Sequence, residues 1–256
     1  MPLNGVLDSV CNVKTIVIIQ ARMGSTRLPG KVLMDIAGET MLSWVVRRAQ
    51  KAKKIDGVLV ATTTAVSDQA VEQECQRLSV PVFRGSEQDV LDRYQCAAAS
   101  AGAEVVVRIT ADCPFIDPTV IDDVVTVFQK TKADYASNTL RRTFPRGLDV
   151  EVMTSDALGR AWKEAHLSYE REHVTPYLFE HSKLFHLENI EHTTDLSQFR
   201  LTVDTAEDFQ LVREIYKRLE KKEASSLQDV IALLEDDPAL AQINHCIQQK
   251  SLHDKI

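Results

Sequence analysis

Gln20-Ala21-Arg22-Met23-Gly24-Ser25-Thr26-Arg27-Leu28-Pro29-Gly30-Lys31-Val32-Leu33 is the stretch whose reading decides the fold. It follows the β-branched run Val13–Ile19, so a buried strand near the N-terminus feeds a loop carrying three cations, two glycines and two hydroxyls. Open α/β sheets collect their ligands at such strand ends. Exposed backbone N–H groups, together with Arg22, Arg27 and Lys31, make a cradle for a polyanion, with phosphate the simplest occupant. The loop is not a Walker A motif, G-x-x-x-x-G-K-[ST]. Five residues separate Gly24 from Gly30, and Val32 stands where that motif needs a hydroxyl.

Working outward, the pattern alternates strand and helix. A helix is expected over Thr40–Ile55, with cations toward its end, then a strand at Val58–Thr62. Ser67 is a candidate cap for a helix over Asp68–Leu78, and Val80–Phe83 is a short strand. The segment 85–89 opens a helix running to Ala101, closed by Gly102. Glu104–Thr110 has the continuous apolar character of a parallel strand covered on both faces, and Pro118 suits the first turn of a helix reaching Lys130. From Ala133 the texture shifts to α+β: strands at Asp134–Asn138, Leu148–Met153, Leu184–Ile190 and Phe199–Val203, with helices at Ser155–Ala165 and Tyr169–His181. Amphipathic helices over 205–220 and 225–235 follow. The fold class is α/β, a mostly parallel sheet with helices on both faces. It forms one domain over 1–256, with a small α+β lobe near 135–200 and C-terminal helices over 205–256.

Bulk properties limit the partners. Hydrophobic residues at 44% and charged residues at 26% are ordinary globular values. A net charge of −7 argues against a nucleic-acid-binding surface, though not against a local basic pocket. The five cysteines are odd in number and form no Cys-x-x-Cys pair, which argues against a disulfide framework and for a cytoplasmic setting. The first fifteen residues hold no apolar run of signal-peptide length, and no window suits membrane insertion.

Two carboxylates stand at strand ends. Asp112 closes the Glu104–Thr110 strand, and Asp204 follows the apolar Leu201-Thr202-Val203. Each has a plainer reading as a helix cap, Asp112 for the helix that follows it and Asp204 for the one at 205, where Glu207 or Asp208 would complete a capping box. Facing a cationic loop, the pair suits Mg2+, which takes one or two carboxylates and completes its shell with phosphate oxygens and water. Cys113 lacks a basic partner and reads as a small buried residue, not a nucleophile.

With Gln20–Leu33 stand Ala61-Thr62-Thr63, Phe83-Arg84-Gly85-Ser86, Asp89–Tyr94, Arg108–Pro114, Pro145–Glu151, Glu172–Tyr177 and Val203–Phe209. Together these motifs resemble the spore coat polysaccharide biosynthesis protein F group of the cytidylyltransferase family, which includes the acylneuraminate and 3-deoxy-octulosonate cytidylyltransferases. The resemblance implies a Rossmann-like nucleotide-diphospho-sugar transferase fold, a homodimer formed through an extended hairpin, and a magnesium-dependent reaction. In that reaction a sugar hydroxyl attacks the α-phosphorus of CTP, giving a CMP-sugar and pyrophosphate. Carried over, Arg22, Ser25, Arg27 and Lys31 hold the triphosphate, and Asp112 and Asp204 hold the metal, with Arg22, Lys31 and Asp112 the catalytic set. Gln20, Ala21, Gly24, Thr62, Ser86 and Arg93 complete the nucleotide-binding set, and the 135–200 lobe becomes the acceptor-binding and dimerisation part.

On the acceptor side, Asp149 and Glu151 alternate onto one face of a strand beside Arg146, and Arg171, Glu172 and His173 lie on the helix after it. Arg146 or Arg171 is expected to pair with a sugar-acid carboxylate; the helix group also reads as a solvated face. Two departures bear on the base. Thr62-Thr63-Thr64 replaces a Thr-Asp-Asp turn of the 3-deoxy-octulosonate enzymes, and their Ser-Gly-Thr-Asp-Arg segment survives only as Gly85-Ser86 with a distant Asp92-Arg93. A glycosyltransferase and a non-catalytic sugar-nucleotide-binding protein are the alternatives. The first needs an Asp-x-Asp at the strand end, where the chain has Asp112-Cys113-Pro114.

Overall fold

The computed structural model describes residues 14–219 and 225–249. Val13, Cys11 and the N-terminal segment tested for a signal peptide lie largely outside the described residues, as do the last residues of the chain. In order the elements are β1 (Thr15–Gln20), a small ribbon of β2 (Asp35–Ile36) and β3 (Glu39–Thr40), α1 (Met41–Ala49), β4 (Gly57–Thr63), α2 (Gln69–Arg77), β5 (Val82–Gly85) and α3 (Val90–Ala101). There follow β6 (Val105–Thr110), α4 (Pro118–Thr131), β7 (Tyr135–Ser137), β8 (Glu151–Thr154), α5 (Ser155–Glu164), α6 (Ser168–His173) and α7 (Pro176–Glu180). The last are β9 (Leu187–Asn189), α8 (Ala206–Arg218), α9 (Leu227–Asp236) and α10 (Pro238–Gln242). No helix among the described residues is long and apolar enough to cross a membrane.

Seven strands form one sheet in the order β5-β4-β1-β6-β8-β7-β9, and β8 alone runs against its neighbours. The strands of the expected lobe at 135–200 therefore extend this sheet. Side chains of β1 alternate between two cores: Val17 and Ile19 pack in one cluster with α1, α4 and α8, and Ile16 and Ile18 in the other with α3 and α5. Burial on both faces is why β1 and the first half of β6 read as apolar runs.

Three differences from the sequence reading have local causes. The helix expected over Tyr169–His181 is two helices, because Val174 takes a left-handed φ of 73° and Pro176 starts a new first turn. The helix expected from 85 begins at Val90, where the Asp89 side chain accepts from the Asp92 amide at 2.9 Å. Phe199–Val203 is not a strand: it makes a single bridge, Arg146 to Arg200. Arg146 accepts from the Leu201 amide at 2.7 Å and donates its own to Phe199 at 3.1 Å, after which the chain turns at Gly147, with φ 104°.

Gly147 is required twice over, by that φ and by space: a Cβ there would lie 2.5 Å from the Thr202 nitrogen. Gly147→Ala is expected to lower the unfolding free energy by about 2–4 kcal/mol. A urea denaturation midpoint equal to that of wild type would show the approach to be loose.

Candidate functional site

The C-terminal ends of β1 and β6 lie side by side, with Gln20 paired to Thr110. Beyond them opens a cavity of about 420 Å³. The loop after β1 is folded by its own backbone: the amides of Ser25 and Gly30 both donate to the Met23 carbonyl, at 2.9 and 3.0 Å. A turn of 3-10 helix at Lys31–Leu33 then carries Lys31 inward until the residue is 8% exposed.

Lys31 does not project into open space. Its ammonium donates to Asp112 at 2.8 Å, Asp204 at 2.9 Å and the Val203 carbonyl at 2.7 Å, which uses all three hydrogens. The segment bearing Asp204 is docked on the one bearing Asp112, since the Val203 amide donates to the Asp112 carbonyl at 2.9 Å. Both aspartates are free for this because other residues cap the helices. Asp117 caps α4, accepting from the Thr119 amide, and Thr205 caps α8 in a box with Asp208. Asp204 is further held by Arg27 at 3.0 Å and Arg200 at 2.9 Å, and Asp112 accepts from Thr110 at 2.5 Å.

Burial acts to lower the Lys31 pKa, but the two carboxylates outweigh it and hold it above its usual 10.5. Burial acts to raise that of Asp112, and Lys31 outweighs it, so the carboxyl stays below its usual 3.8. The tie is thus intact across the neutral range. It is lost only as pH falls through the depressed Asp112 value or rises through the elevated Lys31 value. Burial pushes the Cys113 thiol well up, leaving no thiolate for nucleophilic use.

Gln20, Ala21, Arg22, Ser25, Arg27, Lys31, Arg93, Asp112, Arg146, Asp149, Glu172, His173 and Asp204 all line the cavity. Five other expected residues do not. Gly24 is off the wall, and a Cβ there would meet nothing within 4 Å. Thr62 is buried with its hydroxyl on Asp68 at 3.0 Å, and Ser86 accepts from the Asp89 amide in the turn before α3. Glu151 lies beneath the wall, paired with Arg108 and accepting from Tyr135 and Thr175 at 2.6 Å each. Arg171 is consumed by Asp89, 3.0 Å from its Nε, and by the Trp162 carbonyl at 2.6 Å. Thr62 and Ser86 are held by near neighbours in the chain, whereas Glu151 and Arg171 are held by partners far away in sequence.

Six cations line the cavity (Arg22, Arg27, Lys31, Arg93, Arg108, Arg146) against four carboxylates, so it is locally positive on a chain of net charge −7. Arg93 is 1% exposed, and its Nε has no partner among the described residues. Sequence reading passed over two residues that shape the site. Arg200 ties Asp204 to Asp208. Asp68 accepts from the amides of Met23 and Thr63 and the hydroxyls of Thr62 and Thr63. Its sequence signal is no more than a place after Ser67, at the start of an expected helix.

A family model described as cytidylyltransferase matches residues 16–252. The chain is 33% identical to spore coat polysaccharide biosynthesis protein SpsF of Bacillus subtilis over 231 residues, 88% of this chain and 95% of that one. A solved cytidylyltransferase from Leptospira borgpetersenii superposes with a TM-score of 0.87 at 34% identity, over 93% of this chain and 99% of that chain. A 3-deoxy-manno-octulosonate cytidylyltransferase from Bradyrhizobium is 40% identical over 126 residues, 48% of this chain and 51% of that one.

Asp68→Ala strips the partners from four buried or half-buried donors at the base of the loop. It is expected to cost about 2–4 kcal/mol of stability and to speed hydrogen exchange at the Met23 amide. Unchanged protection of that amide would remove Asp68 from its role as the loop's anchor.

Proposed function

The chain belongs to the cytidylyltransferase family, and from that premise we propose that it transfers CMP from CTP to a sugar acid for a surface polysaccharide or glycan. The hydroxyl oxygen of the sugar bonds to the α-phosphorus as the bond to the β-phosphate bridging oxygen breaks. Pyrophosphate leaves with the electron pair, and the hydroxyl proton is released. The observation that carries this reading is the convergence of Asp112 and Asp204 on one point in a cavity walled by unpaired and paired cations.

Those carboxylates fit Mg2+, whose shell one or two carboxylates and phosphate oxygens complete. Asp112 and Asp204 would hold the ion, which supplies positive charge to the phosphate oxygens of the nucleotide. Lys31 occupies the same point, and two cations do not share it. With the ion held there, Lys31 would be freed from the aspartates and would turn to the triphosphate. There it joins Arg22, whose guanidinium has no hydrogen bond or ion pair among the described residues. Charge neutralisation on the departing pyrophosphate by these two groups, with positioning, lowers the barrier. No covalent intermediate is needed. Arg93, with a donor unused in the wall, serves the nucleotide from the α3 side.

A homodimer and a cytoplasmic setting belong to the same proposal. The free state of the described cysteines, Cys75, Cys96, Cys113 and Cys246, supports a reducing compartment.

The test is pyrophosphate release with magnesium, each of the four ribonucleoside triphosphates, and a panel of sugar acids. CTP with a sugar acid is expected to give pyrophosphate, and Asp112→Asn to slow it by about a hundred-fold or more. Transfer from a supplied nucleotide-sugar without pyrophosphate would overturn the proposal, as would equal use of all four nucleotides.

A further inference from the structure

We propose that Arg146 selects an anionic acceptor by pairing its guanidinium with the carboxylate of the sugar acid, an inference that rests on the cytidylyl-transfer reading. Arg146 is half-buried in the cavity wall, and its side chain makes no hydrogen bond or ion pair among the described residues. Its cationic neighbours are all answered. Arg142 is bidentate on Asp149, at 2.6 and 2.8 Å, and Arg200 is held by Asp204 and Asp208. Burial first, and then Arg142, push the Arg146 pKa down, as befits a cation whose compensation is incomplete. A half-buried guanidinium left in this state calls for a planar anion, and a carboxylate meets it through two parallel hydrogen bonds.

Position separates this anion from the triphosphate. Arg93 stands on α3, whereas Arg146 stands on the segment bonded to residues 199–201. Both arginines line one cavity, and the Lys31–aspartate tie joins the loop after β1 to Asp112 and Asp204 within it. The Arg146 backbone is fixed by its two hydrogen bonds to the 199–201 segment and by the close approach at Gly147. Arg171, the other arginine expected to take a carboxylate, is closed off by Asp89 and Trp162. Asp149, Glu172 and His173 line the same cavity and offer partners for sugar hydroxyls.

Binding is measured by titration calorimetry with 3-deoxy-manno-octulosonate and N-acetylneuraminate, each as the free acid and as its methyl ester. Measurements are made with and without magnesium and a CTP analogue carrying a methylene between the α- and β-phosphates. Wild type is expected to bind at least one acid at least ten-fold tighter than its ester. Arg146→Gln should erase that preference and Arg146→Lys retain part of it, while the analogue binds all three proteins alike. Because the side chain makes no internal hydrogen bond or ion pair among the described residues, both variants should melt within a few degrees of wild type. The inference is overturned if wild type shows no preference for either acid over its ester, if Arg146→Gln keeps the preference, or if Arg146→Gln weakens the analogue instead. Failure of the analogue to bind wild type would count against cytidylyl transfer alone, since the acid-against-ester comparison is also read without it.

Discussion

One ammonium group, held between two carboxylates and a carbonyl, is the constraint on which the site depends. Lys31 and its partners come from segments 81 and 173 residues apart, so their contact closes the loop after β1 onto the ends of two distant stretches. The geometry survives because charge balances around it. Lys31, Arg27 and Arg200 face Asp112, Asp204 and Asp208, and the last is fully buried. Buried charges persist only when paired and hydrogen-bonded. The same balance makes the point between Asp112 and Asp204 a natural place for a different cation.

Around this tie lies a support of buried ion pairs and hydrogen bonds centred on Asp68 and Glu151, which do not themselves line the cavity. Asp68 gathers four donors beneath the loop. Glu151 holds Arg108, and Arg108 reaches Gln20 at 3.1 Å, so the wall at the end of β1 is steadied from below. Such a support keeps the exposed cations in position before a ligand arrives, which is where positional catalysis gains most. Arg22 and Arg146 stand apart from it, and the unanswered charge on each is available to a ligand.

Much of this was legible in the sequence. Apolar runs covered on both faces gave β1, β4 and β6, and the residues at their ends gave the loop, Asp112 and the cavity they share. Asp204 remained ambiguous because a strand-end aspartate followed by Thr205 and Asp208 satisfies a capping box as well; only the observed box, closed by Thr205 and Asp208, leaves Asp204 for the site. What stayed hidden was pairing between distant segments. Glu151 and Arg171 have the chemistry of ligand-binding residues, yet each meets an internal partner first. The single-residue bridge at Arg146 and Arg200 was likewise unreadable, since its extent is set by the turn at Gly147.

The central claim is that Lys31 stands in the place of a divalent cation and yields it when nucleotide binds. Binding of Mn2+, followed by electron paramagnetic resonance without nucleotide, tests it directly in wild type and in Lys31→Met. If the lysine holds the site, wild type binds Mn2+ weakly and Lys31→Met binds it about ten-fold tighter or more. Equal affinity in the two proteins would contradict the account.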